Sequence, residues 1–342
     1  MSRALLEETK TASRHSPSPW APRRAFWRGR ALEIGIVNNM PDPALAATER
    51  QFSNLVRTAA GGRPVHIRYY SLPSVPRSHD TRSTLMGHYR SASEIKNHRL
   101  DALIVTGTEP RAAKLDQEPY WDEFRMLADW AADNTLSTIW SCLAAHGLVL
   151  HMDGIARHKL VWKCSGVFAC ATTAAHPLLS GSKNTLHVSH SRWNALDPHE
   201  LRRHGYLLLS QSDIAGVDSF VKDAGSQFVF FQGHPEYDDT SLLREYRRDV
   251  TRFLTHERDI YPSMPSGYFA RDLEARLQMF QYKAEGRKGD ITVKDMPELA
   301  PRNGLAADIS ATANLIYRNW VDGLWVKING AAANSSLAAQ QA

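Results

Sequence analysis

Apolar runs alternating with amphipathic stretches organise the first half of the chain. Residues 31–38 (ALEIGIVN) read as a buried strand, and residues 44–60 then place Leu45, Phe52, Leu55 and Val56 on one helical face. A second strand is expected over 65–72, where Val65, Ile67 and Tyr69 alternate, and a third over 102–106, which ends at Gly107. A helical segment near 120–133 precedes the run 136–140 (LSTIW), after which 143–152 is again apolar and helix-compatible. Strands that alternate with helices predict an α/β protein with a mostly parallel sheet flanked by helices. From 156 to 223 the pattern shortens into strand-like pieces (TLHVSH, YLLLSQ, VDSFV), which predict an antiparallel extension of the same domain. A strand at 228–231, a helix at 241–255, a loop at 281–303 and a last helix at 312–326 complete the pattern. The whole is read as a leader (1–30), one domain (31–330) and a disordered tail (331–342).

Composition narrows the class. No apolar run approaches the roughly 20 residues a membrane span requires, and the start lacks the apolar core of a secretory signal. The expected compartment is the cytoplasm. Three cysteines, Cys142, Cys164 and Cys170, are too few and too irregularly spaced for a disulfide framework or a structural zinc site, so no metal is expected. The net charge of +5 is carried by residues 1–30, which hold seven Lys/Arg against two acids. A basic Ser/Pro-containing leader of this kind is a solvated arm, and no nucleic-acid function is read from it. The Arg23-Arg24 pair is not followed by a hydrophobic region, so export is not expected either.

Cys142 is the residue around which chemistry gathers. It stands between a strand and a helix, where helix N-terminal amides favour negative charge, and is a candidate nucleophile. Gly233-His234-Pro235-Glu236 follows a second strand, and in an extended His-x-Glu the two side chains share a face. Glu236 can then orient His234 as a base toward Cys142. The backbone N–H of Leu143 and one from the Gly107-Thr108 loop are candidate oxyanion donors. In a parallel sheet Gly107, Cys142 and His234 would share the carboxyl edge, where ligands bind.

Several motifs resemble the homoserine O-succinyltransferase family, the MetA type: Asn38-Asn39-Met40-Pro41, Leu103 to Gly107, Tyr120-Trp121, Lys163-x-Ser165-Gly166-Val167, His190-Ser191-Arg192, Gly233 to Asp238, Arg248-Asp249-Val250 and Asn314-Leu315 with Asn319-Trp320. They occur in order over residues 33 to 326. The resemblance implies a class I glutamine-amidotransferase-like (flavodoxin-like) fold and a ping-pong acyl transfer in methionine biosynthesis. In that reaction an acyl-CoA acylates Cys142 and L-homoserine takes the acyl group, with His234 as general base. The resemblance also implies a cytoplasmic homodimer without a bound cofactor beyond the acyl-CoA substrate. By motif, Lys163, Ser165, Arg192 and Arg248 would line the site, with Arg248 as partner of the amino-acid carboxylate.

Two departures bear on the donor. The family's lysine pair after N-x-M-P is replaced by Asp42-Pro43, and the loop after Thr106-Gly107 reads Thr108-Glu109-Pro110-Arg111. Ungapped counting sets the donor-selecting position on Arg111, whose charge favours succinyl over acetyl; Glu109 in the same space would reverse that preference. Serine or another hydroxy amino acid is an alternative acceptor. A glutamine amidotransferase-like thiol hydrolase would use the same triad, but Trp140-Ser141-Cys142-Leu143-Ala144 lacks the glycines of G-x-C-x-G. A silent binding protein on the same scaffold need not have a thiol that reacts faster than Cys164 and Cys170.

Overall fold

A computed structural model describes residues 30–286 and 291–341. Ten strands form one sheet: β1 (Leu32–Val37), β2 (Val65–Ser71), β3 (Arg90–Ser91), β4 (Ala102–Val105), β5 (Ser137–Ser141), β6 (His158–Thr172), β7 (Thr185–Ala195), β8 (Leu207–Ser212), β9 (Gly216–Ala224) and β10 (Ser226–Phe231). Their order is β3-β2-β1-β4-β5-β10-β9-β8-β6-β7. Pairing is parallel from β3 through β10 and antiparallel from β10 through β7. The predicted mostly parallel sheet with an antiparallel extension is therefore the observed one.

The helices are α1 (Asp42–Ala60), α2 (His79–Met86), α3 (Trp121–Asn134), α4 (Leu143–Asp153), α5 (Pro198–Arg203), α6 (Ser241–Leu254), α7 (Arg271–Gly286) and α8 (Leu305–Gln341). The period-2 geometry of the strands sorts their side chains into two cores. Ile34, Ile36, Ile104, Ile139, Val229 and Phe231 face one side, where they join Phe52 of α1 and Tyr317 and Trp320 of α8. Val37, Leu103, Val105, Trp140, Phe228 and Phe230 face the other, against Phe124 and Leu127 of α3 and Ala145 and Leu148 of α4. Both faces are covered, which is why the central strands read as continuous apolar runs.

Some elements differ from the pattern-based reading. β6 spans fifteen residues, and its first half is exposed and shifts register between Lys159 and Cys164, so alternation there is lost. α7 continues through Gly286 into the stretch read as a loop, because Leu273, Leu277, Phe280 and Ala284 recur at helical spacing and are buried. The last helix is longer than 312–326: its backbone starts at Leu305 and runs through Gln341, across the stretch read as a disordered tail, where alanine favours helix. The basic leader lies outside the described residues, save Arg30, which pairs with Asp101.

Candidate active site

β5 ends at Ser141 and α4 begins at Leu143, so Cys142 alone makes the turn between them. Its backbone takes φ 52° and ψ −112°, a strained conformation for a residue with a Cβ. The strain is held by the neighbouring strand: the Cys142 N–H donates to the carbonyl of Phe231 at 2.8 Å. A sharp strand-to-helix turn of this kind lifts the side chain clear of the sheet edge. Cys142 is partly exposed, Cys170 is buried, and burial raises the thiol pKa of both Cys164 and Cys170.

β10 lies beside β5, and the chain leaves it through Gln232 and Gly233 to His234. The His234 N–H is anchored on the carbonyl of Ser189 at 2.7 Å. Its Nδ1 meets Glu236 Oε1 at 2.8 Å, and Glu236 Oε1 also accepts from Ser141 Oγ at 3.3 Å. Burial by itself would lower the His234 pKa; the charge and hydrogen bonding of Cys142 and Glu236 outweigh it, and the pKa stands well above that of free histidine. The imidazole thus interacts with Cys142 as well as with the Glu236 carboxylate.

Gly107 touches the first residue of α4. A Cβ on it would lie 2.6 Å from the Leu143 Cβ and 2.9 Å from the Leu143 nitrogen, so only glycine permits this approach. Leu143 is the first residue of α4, and its N–H lies outside the helical ladder. The Thr106-to-Thr108 turn and Leu143 line one cleft with Tyr120, Trp121 and Phe124. The two proposed oxyanion donors are thereby brought to the same place beside Cys142.

A polar cluster adjoins His234 and forms a second wall. Half-buried Glu245 of α6 accepts from the Ser191 hydroxyl and, at 2.6 Å, from the Tyr237 hydroxyl. Lys163 Nζ lies 3.4 Å from Glu245 and 3.2 Å from Asp249. Burial opposes the charge of Glu245, yet Lys163 and these hydroxyls hold its pKa below the usual value. Arg248 pairs with Asp249 at 3.0 Å, is half exposed, and feels the charge of Glu109. Ser165 stands opposite Ser191 in the β6–β7 ladder.

Arg192 does not belong to this wall. It sits one residue from Ser191 on β7, hence on the other face, and is buried. Its guanidinium donates to the carbonyls of Asn194 (2.7 Å) and Ala215 and reaches His190 Nδ1 at 3.4 Å. These donors are consumed by the fold, so the expectation that Arg192 lines the pocket is corrected in favour of Ser191. The Arg111 side chain is exposed while its N–H, with that of Ala112, is held by buried Glu118 at 2.7 and 2.8 Å; Glu109 is the acidic loop residue in electrostatic reach of Arg248.

Sequence reasoning did not single out Ser191, Tyr237, Glu245 or Asp249, although the first two and the last stand in the motifs quoted for the resemblance. Among the described residues one further group brings three ligand-type atoms within 4.8 Å: Cys170, His190 and Asp218, all buried. His190 Nε2 and Asp218 Oδ1 lie 3.3 Å apart, near enough to pair though off hydrogen-bond geometry. They pack directly beneath Gly233, whose Cβ would lie 2.6 Å from Asp218 Oδ1.

A cysteine elbow at the carboxyl edge of a parallel sheet, with His and Glu supplied by the adjoining strand, defines a class I glutamine-amidotransferase-like thiol enzyme. The same fold occurs in the crystal structure of a glutamine amido transferase from Methylobacillus Flagellatus, with a TM-score of 0.50 and 16% identity over 86% of this chain and 94% of that one. Residues 21–327 match the model of the homoserine O-succinyltransferase family. The homoserine O-succinyltransferase of Rhodopseudomonas palustris is 52% identical over 86% of this chain and 89% of its own, and that of Bradyrhizobium japonicum is 45% identical over 85% and 89%. The chain belongs to the homoserine O-succinyltransferase family. It is thereby an acyl-CoA-dependent transferase, and neither the amidotransferase nor the silent-scaffold reading is favoured.

Proposed function

We propose that Cys142, His234 and Glu236 carry a succinyl group from succinyl-CoA to the hydroxyl of L-homoserine. The observation that carries this reading is the Cys142–His234–Glu236 array on adjoining strands, in a chain of this family. The Cys142 sulfur attacks the thioester carbonyl, and the Leu143 and Thr108 N–H groups receive the developing oxyanion. The C–S bond to coenzyme A breaks, and His234 gives its proton to the departing thiolate. The homoserine hydroxyl then attacks the Cys142 thioester and loses its proton to His234; the C–S bond to Cys142 breaks and the nucleophile is restored. Glu236 holds the ring and offsets its charge throughout.

Lys163, Ser165, Ser191 and Arg248 form the acceptor side, with the Arg248 guanidinium on the amino-acid carboxylate. The steps balance without a resident metal or cofactor, since the acyl-CoA is itself a substrate. No described helix is long and apolar enough to cross a membrane, which supports a cytoplasmic enzyme. A homodimer is supported by the exposed Val161 and Trp162 at the start of β6, 84% and 74% exposed.

Intact-protein mass after mixing with succinyl-CoA or acetyl-CoA, followed by homoserine or serine, tests the scheme. An adduct formed from succinyl-CoA, absent in Cys142→Ala and discharged by homoserine alone, is expected. No adduct with either donor, or turnover retained by Cys142→Ala, would overturn it.

A further inference from the structure

Arg157 lies between α4 and β6 and is partly buried. It makes no ion pair or hydrogen bond with any described residue. Burial lowers its pKa, and the ionisable groups near enough to act on it are Tyr120, Cys142 and Glu118. A half-buried guanidinium without a protein partner is free to pair with an anion supplied from outside. Tyr120 presents a second unmet demand nearby: it is buried, and its hydroxyl has no hydrogen-bond partner. Glu118 is not the missing partner of Arg157, since one of its oxygens holds the N–H groups of Arg111 and Ala112 and the other is unpaired.

Tyr120 also lines the cleft beside Cys142, with Trp121, Phe124 and Leu143. An acyl group on Cys142 that enters this cleft meets apolar walls along its methylenes and then the Tyr120 hydroxyl, within electrostatic reach of Arg157. Resting on the succinyl-transfer reading above, we propose that Arg157 and the Tyr120 hydroxyl bind the distal carboxylate of the succinyl group. Tyr120 shares its cleft with Thr108, at the start of the Thr108-to-Arg111 loop. Donor choice is then a property of a cation beyond the end of α4 as well as of that loop.

The test compares the rate of Cys142 acylation by succinyl-CoA with that by butyryl-CoA, which has four acyl carbons and no distal carboxylate. Loss of a charge-assisted pair in a partly buried site corresponds to about a 10- to 100-fold loss. Arg157→Met is expected to lower the succinyl-to-butyryl ratio by about that factor, with Arg157→Lys intermediate. Tyr120→Phe is expected to lower it about tenfold, because the ring and its packing remain. Equal losses with both donors would mean that Arg157 serves the coenzyme phosphates or the fold, and would overturn the proposal, as would an unchanged ratio. Wild-type protein acylated by succinyl-CoA whose donor ratio is unmoved by Arg157→Met would overturn this inference alone, whereas wild-type protein not acylated by succinyl-CoA would overturn the succinyl-transfer reading beneath it.

Discussion

The rings of His234 and Tyr237 stack at 4.2 Å between centroids, with their planes 18° apart, and the Tyr237 hydroxyl is tied to Glu245 at 2.6 Å. The His234 imidazole is thus fixed on its edge by Glu236 and on its face by a tyrosine that holds Glu245. In the scheme proposed above, occupation of the acceptor side and orientation of the base would be mechanically joined.

Tyr237→Phe keeps the stack but leaves Glu245 with one donor fewer. It is expected to raise KM for homoserine several-fold with little change in acylation of Cys142. Tyr237→Ala removes the stack as well and is expected to slow acylation by at least tenfold. Single-turnover acylation followed by steady-state kinetics separates the two; equal behaviour of both variants would disprove the joint role.

His234 carries a pKa raised above the value of about 6.5 for free histidine. A pKa higher in the folded than in the unfolded state adds stability that is full below pH ~6.5 and fades as pH rises through the folded value. Cys142→Ala removes the largest cause of that elevation. Its His234 ring resonances are expected to titrate at lower pH than those of wild type by NMR, and its stability is expected to depend less on pH on the alkaline side. An unshifted titration would place the source of the elevation elsewhere.

Gly107→Ala pushes a methyl group into Leu143, at 2.6 Å from its Cβ. The loop must retreat from the α4 N-terminus, separating the two proposed oxyanion donors. A loss of about 10²–10³ in kcat is expected, typical for removal of one such donor, with a stability change of about 1–3 kcal/mol. Activity within threefold of wild type would remove this loop from the oxyanion site.

Arg192→Met tests the reassignment of that residue. It removes donors from the carbonyls of Asn194 and Ala215 in a buried region, and a loss of roughly 3–5 kcal/mol in unfolding free energy is expected, with KM for homoserine unchanged in the protein that remains folded. A selective rise in KM without destabilisation would return Arg192 to the pocket.

The parallel half of the sheet was legible because strands covered on both faces leave unbroken apolar runs, and the elbow was legible because a cysteine sat directly between two of them. β6 was not: Val161 and Trp162 are exposed and the register shift hides its alternation. α7 carried a readable signal in Leu273, Leu277, Phe280 and Ala284. The identity of the polar wall was hidden for another reason. Ser191 and Arg192 are adjacent in sequence and chemically plausible alike, and only the facing direction of β7 decides which one meets Glu245.

Ser141 and Phe231 are register partners on β5 and β10, and each is the last residue of its strand before the reactive turn. A slip of one residue between these strands would carry the sulfur about 3.3 Å along the strand and turn every following side chain to the wrong face. Trp140, wedged between Phe124 and Phe230's neighbour Phe228, makes such a slip impossible without emptying the interior. Aromatic packing deep in the sheet thereby acts as the vernier that aligns Cys142 with His234, so substitutions there are expected to blunt the proposed chemistry before they unfold the chain.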